Sequence, residues 1–111
     1  MKTFYAPDRK TWRNWLSKNH DKEKEIWLVR YRKSSGKPCI SYDESVEEAL
    51  CFGWIDSVQR SNDKESTVQH FSPRRPKSNW SPSNRERANR LIEQGLMTEA
   101  ARQVLAKDLV N

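Results

Sequence analysis

Ser41-Tyr42-Asp43-Glu44-Ser45-Val46-Glu47-Glu48-Ala49-Leu50-Cys51-Phe52-Gly53-Trp54-Ile55-Asp56 contains the change from helix to strand on which the fold turns. Ser41 and Glu44 stand at capping-box spacing, in which each side chain satisfies the other residue's free backbone N–H. Val46, Ala49, Leu50 and Gly53 then recur at helical spacing, and Gly53 lies where a helix ends in a left-handed residue. From Trp54 the pattern changes. Two runs, Trp54 to Arg60 and Ser66 to Ser72, read as strands, and the polar connection Ser61-Asn62-Asp63-Lys64-Glu65 makes them a hairpin.

Upstream, Asp8 is placed to cap a helix running to about Lys18, whose buried stripe is Trp12, Trp15 and Leu16 at i, i+3, i+4. Glu25 to Arg32 reads as a strand with Trp27, Val29 and Tyr31 on one face and Ile26 and Leu28 on the other. The second face turns cationic at Arg30 and Arg32, so that end of the strand is expected to reach solvent or an anion. Ser34-Ser35-Gly36-Lys37-Pro38 is a turn. Downstream, Ser81-Pro82 is a strong helix start, because Ser caps and Pro fits the first helical position. Ala88, Leu91 and Ile92 form that helix's apolar stripe, Gly95 stops it, and Thr98 caps a last helix to about Lys107. With no internal repeat and no linker, residues 1–111 read as one domain. The order αβαββαα predicts an α+β fold, a small antiparallel sheet with helices packed on it.

Composition narrows the function classes. Apolar residues make up 34% of the chain, so the core has to be aromatic-rich, and five Trp, three Tyr and three Phe supply it. Each large ring buries roughly 150–250 Å², which offsets the shortage of aliphatic residues. The longest apolar runs, Ile26-Trp27-Leu28-Val29 and Ala49-Leu50-Cys51-Phe52, fall far short of the roughly 20 residues of a membrane-spanning helix. No signal-peptide core follows Met1, and Cys39 and Cys51 are expected to stay reduced, so the expected location is the cytoplasm. Neither cysteine is paired with His at zinc-site spacing, and no metal or other cofactor is expected. The net charge of +6 points to an anionic ligand or acidic partner, with nucleic acid as one candidate. Arg and Lys on an edge strand guard against aggregation, which favours a monomer.

Two places invite chemistry. In the first, Arg74, Arg75 and Lys77 precede the helix start at Ser81, where free backbone N–H groups and the positive end of the helix dipole attract oxyanions. The Arg forks match such anions, and Trp80 offers a face for stacking. The candidate anion site is therefore Arg74, Arg75, Lys77, Trp80, Ser81 and Asn84, extended by Arg30 and Arg32 if their strand end lies alongside. The structural alternative pairs the loop's Arg residues with Glu44, Glu47 and Glu48. In the second place, Asp56 and His70 on neighbouring strands are the residue types of an acid–base pair. A purely structural role for them fits the pattern better. Cys51 sits inside a helix pattern beside Phe52, where an inert buried thiol is the usual case. No nucleophile elbow or phosphate-binding Gly loop is present. The leading expectation is a non-catalytic binding domain. An enzyme for a small anionic substrate and a scaffold protein with no small ligand are the alternatives.

Tyr42 to Ser57, together with Phe71-Ser72-Pro73-Arg74-Arg75, Ser78-Asn79-Trp80-Ser81, Asn84-Arg85 and Gly95-Leu96-Met97, resembles the YdeI/OmpD-associated family, the bacteriocin-protection proteins. The resemblance runs over nearly the whole chain. It implies a short bacterial α+β domain linked to resistance against bacteriocins or antimicrobial peptides and to outer-membrane porins. It brings no reaction, cofactor or catalytic residue. The further C-terminal helical region of many members is expected to be missing here, the chain stopping at Asn111. A cationic chain repels cationic peptides at short range, so any protection is expected to be indirect.

Overall fold

The computed structural model describes residues 2–74, 81–99 and 101–102. Strand β1 (Thr3–Tyr5) leads into helix α1 (Arg9–Asn19), and strand β2 (Ile26–Tyr31) follows. A 3-10 turn (Lys33–Ser35) precedes helix α2 (Tyr42–Leu50). Strands β3 (Trp54–Ser61) and β4 (Ser66–Pro73) form the hairpin, and helix α3 (Pro82–Glu93) comes after them.

The helix boundaries follow the capping chemistry in the sequence. Asp8 accepts from the Thr11 N–H at 2.8 Å to start α1, and both halves of the Ser41/Glu44 capping box are formed at α2. Ser81 accepts from the Asn84 N–H at α3. After α2 the chain turns at Gly53, whose φ of +77° is a conformation that L side chains adopt only with strain. Thr98 donates its N–H and hydroxyl to the Cys51 carbonyl, and its hydroxyl accepts from the Ala101 N–H, so it does start a helical turn. The course of that turn beyond Arg102 lies outside the described residues.

The fold is α+β, with one correction to the expected sheet. Its four strands run in the order β1-β2-β4-β3, and β1 pairs parallel with β2 while the β2–β4 and β3–β4 pairs are antiparallel. The sheet is mixed because β1, unseen in the sequence, joins it. Three residues are too few to show an alternation, and a parallel pairing needs a crossover, which α1 provides.

The three helices among the described residues pack on one face. Trp12 and Leu16 of α1, Val46, Ala49 and Leu50 of α2, and Ala88 and Leu91 of α3 share a core with Ile26, Leu28, Trp54 and Phe71 of the sheet. Trp12 is fully buried, stacks on Trp15 at 5.6 Å, meets Phe71 edge-on at 5.2 Å, and donates its Nε1 proton to the Ser45 carbonyl at 2.9 Å. The other sheet face carries a smaller cluster of Trp27, Val29 and Val68 with Tyr5 and Tyr31. Arg60 lies over the Trp27 ring and Lys37 over the Tyr31 ring, roofing that face with cations.

Charge joins the helices. Glu48 of α2 pairs with Arg9 and Arg13 of α1, Glu47 with Arg9 and with Arg90 of α3, and Asp43 with Arg87 of α3. Four arginines of a basic protein are thereby committed to the helical layer.

Candidate functional site

Strand β2 sets up the site by continuing past its own cover. Ile26 and Leu28 point into the helical layer, and two residues further on the same face carries Arg30, opposite Thr67 of β4. The 3-10 turn closes at Gly36, at φ +74°, and returns Lys33 and Lys37 alongside. An open groove of about 450 Å³ results, lined by Arg30, Tyr31, Arg32, Lys33, Gln59 and Thr67. A second groove of about 260 Å³ adjoins it, shares Arg30, Tyr31 and Lys33, and extends over Lys37, Cys39 and Tyr42.

The Arg30 guanidinium lies 5.5 Å from the centre of the Tyr42 ring, and its Nε is buried without a hydrogen-bond acceptor. Arg9 Nε also lacks an aligned hydrogen bond, but it sits 2.9 Å from the Glu48 carboxylate. Arg30 has no such carboxylate among the described residues, and neither do Arg32 and Lys33. Lys37 is paired, 3.1 Å from Glu65, and the hydrogen bond to that carboxylate raises its pKa. Tyr42 donates its hydroxyl to Asp56 at 2.7 Å. Burial, and then the Asp56 carboxylate, push the phenol up to about 12, against the pull of Arg87 and Arg30. The grooves thus present three uncompensated cations beside a protonated phenol, a setting that attracts oxyanions.

Of the loop-centred part of the expected site, Arg74, Ser81 and Asn84 are described. Arg74 is 5% exposed, donates its backbone N–H to the Gly53 carbonyl at 2.9 Å, and is not a free cation. Pro73 still pairs with Trp54, which carries Arg74 into the protein rather than onto a loop. Arg75, Lys77 and Trp80 lie outside the described residues. Ser81 is occupied with capping, and Asn84 accepts from Arg87 Nη1 at 2.9 Å. Glu47 and Glu48 are taken by helix arginines, and Glu44 closes the capping box. Arg30 and Arg32, expected as outliers of the site, line its main groove.

Asp56 and His70 do not form a pair. Asp56 stands opposite Phe71 in the β3–β4 register, so it shares the helix-side face with Phe71, while His70, one residue earlier, points to the other side. There the His70 ring packs on Trp27 at 4.8 Å, with Nδ1 2.7 Å from Ser57 Oγ and Nε2 3.7 Å from Glu25. Neither Ser57 nor His70 lines the grooves at Arg30. Burial raises the pKa of the Cys51 thiol, as expected of an inert core cysteine.

Sequence reasoning missed Lys33, Gln59, Thr67 and Tyr42. The cationic end of β2 was the available signal for the region, but Gln59 and Thr67 become its floor only through the strand register.

A family model matches residues 4–104. The chain belongs to the family described as Domain of unknown function (DUF8412). No curated protein matches the chain, and no solved structure matches it.

Proposed function

We propose that this protein is a non-catalytic binding domain for an anionic ligand, held by Arg30, Arg32 and Lys33 at the open end of β2. The observation that carries the reading is the contrast among arginines. Arg9, Arg13, Arg87 and Arg90 are matched to carboxylates of α2, whereas Arg30, with a buried Nε lacking an acceptor, lines two adjoining grooves.

The resemblance to YdeI/OmpD-associated proteins adds the wider role: an anion-binding domain of the bacterial cytoplasm that serves protection against bacteriocins indirectly. Phosphates, acidic peptides and nucleic acid all satisfy the charge requirement, and the salt dependence of binding separates them, since a nucleic acid spanning several cations releases several counterions.

The test is titration with inorganic phosphate and pyrophosphate at low and moderate salt, followed by backbone amide shifts. Shifts centred on Arg30, Arg32, Lys33 and Thr67, lost in Arg30→Gln/Arg32→Gln, are expected. In Arg74→Ala the melting temperature should fall while affinity stays unchanged. Binding that survives the Arg30/Arg32 double variant and disappears in Arg74→Ala would return the site to the α3 loop.

A further inference from the structure

The two grooves at the end of β2 are longer than one anion needs. A single phosphate group fills only a small part of a groove of about 450 Å³, and the second groove, of about 260 Å³, continues it past Arg30, Tyr31 and Lys33. Neither has an Asp or Glu among its lining residues. The cations are spread along this track rather than gathered at one point. Arg30 and Arg32 stand two residues apart in extended backbone, which separates them by roughly 6–7 Å along the chain. Successive phosphates of an extended nucleic-acid strand lie a similar distance apart. Lys33 follows at the start of the 3-10 turn, and both Arg32 and Lys33 are exposed.

The smaller groove adds a ring. Tyr42 is 38% exposed, the one aromatic among the exposed large apolar side chains described. Tyr31 lines both grooves but is less exposed, with Lys37 4.6 Å and the Tyr5 ring 4.9 Å from its centre. The Arg30 guanidinium lies 5.5 Å from the Tyr42 ring centre, so a charge and a stacking surface fall within the span of one nucleotide. Every base has a π-face, and a cationic groove with aromatic side chains along it holds a single strand by its backbone and its bases together. A duplex keeps those faces in its own stack, and a run of acidic side chains has none to offer.

Resting on the anion-binding reading above, we infer that the ligand is a single-stranded nucleic acid. Its backbone follows Arg30, Arg32 and Lys33 through the larger groove, and one base stacks on Tyr42 in the smaller.

Fluorescence anisotropy of the full chain with a labelled oligothymidylate about twelve nucleotides long tests this, with inorganic polyphosphate, the corresponding duplex and an oligoglutamate as competitors. The log–log salt dependence should have a slope of about −2, at roughly 0.7 per phosphate neutralised on a single strand. Duplex and oligoglutamate should each bind at least tenfold more weakly. Tyr42→Leu should weaken the oligonucleotide about tenfold, the loss of one stacked base, and leave polyphosphate unchanged. Arg32→Gln/Lys33→Gln alters exposed side chains only and should bring the slope towards about −0.7, so it tests the track even if Tyr42→Leu disturbs α2. An unchanged slope there overturns the inference. So does a Tyr42→Leu effect that is absent or equal for polyphosphate, or a duplex or oligoglutamate that binds as tightly as the single strand. In each of these cases, phosphate binding that is lost in Arg30→Gln/Arg32→Gln leaves the anion site standing. If oligothymidylate, polyphosphate and inorganic phosphate all fail to bind at low salt, the anion site fails as well.

Discussion

The Glu48 carboxylate, its side chain 3% exposed, lies 2.8 Å from Arg13 Nη1 and 2.9 Å from Arg9 Nε. A charge so nearly removed from water is tolerable because two guanidinium groups from α1 meet it, each itself still partly exposed. The contact joins α1 to α2 at the centre of the helical layer.

Removing that charge leaves Arg13 without its carboxylate and Arg9 with Glu47 alone. Glu48→Gln is expected to destabilise the protein by about 2–3 kcal/mol, below the full cost of breaking a buried pair because both arginines retain access to water. Urea unfolding should show a lower midpoint with an unchanged slope. A midpoint equal to wild type would mean that apolar packing and the Arg9–Glu47 pair suffice to hold α1 on α2.

Tyr42 offers a pH readout of the site. Its folded pKa of about 12 exceeds the ordinary value of 10.0, through burial first and the Asp56 hydrogen bond second. The folded state therefore holds the phenolic proton more tightly than the unfolded chain does. The stabilisation is complete below pH 10 and is lost as pH rises through about 12. Absorbance titration of the phenolate should show one late-titrating tyrosine that is missing in Tyr42→Phe, and in Asp56→Asn the late step should move to lower pH. A late step unaffected by either substitution would assign it to another tyrosine.

The two cysteines should separate cleanly. Cys51 is fully buried and its thiol pKa is raised by burial, whereas Cys39 is half-buried at the smaller groove. A thiol reagent at neutral pH is expected to label Cys39 alone in the native protein and both cysteines after unfolding. Phosphate bound at Arg30 should slow the Cys39 reaction, since the two residues line the same groove. Native labelling at Cys51, found by peptide mapping, would show that the core opens far more readily than its packing implies.

What the sequence determined by itself was local. Asp8, Ser41 and Ser81 set the helix starts because a capping side chain bonds to backbone N–H groups two or three residues away, and Gly53 and Gly95 stop the helices through their positive φ. The alternation in β2 also separated Trp27, Val29 and Tyr31 from Ile26, Leu28 and Arg30, and located the cationic end. Tertiary structure decided everything that depends on pairing. The register that sets Asp56 opposite Phe71 puts it and His70 on opposite faces of the sheet. A one-residue slip would have reversed that outcome, and no local preference fixes it. Likewise, β1 becomes a strand only because β2 is there to receive it. Pairing of Pro73 with Trp54 turns Arg74 inward, and Thr67 and Gln59 come to lie beside Arg30 because three strands align. The chain's charge pointed to an anion, and only the folded protein decides which cations its carboxylates leave unpaired among the described residues.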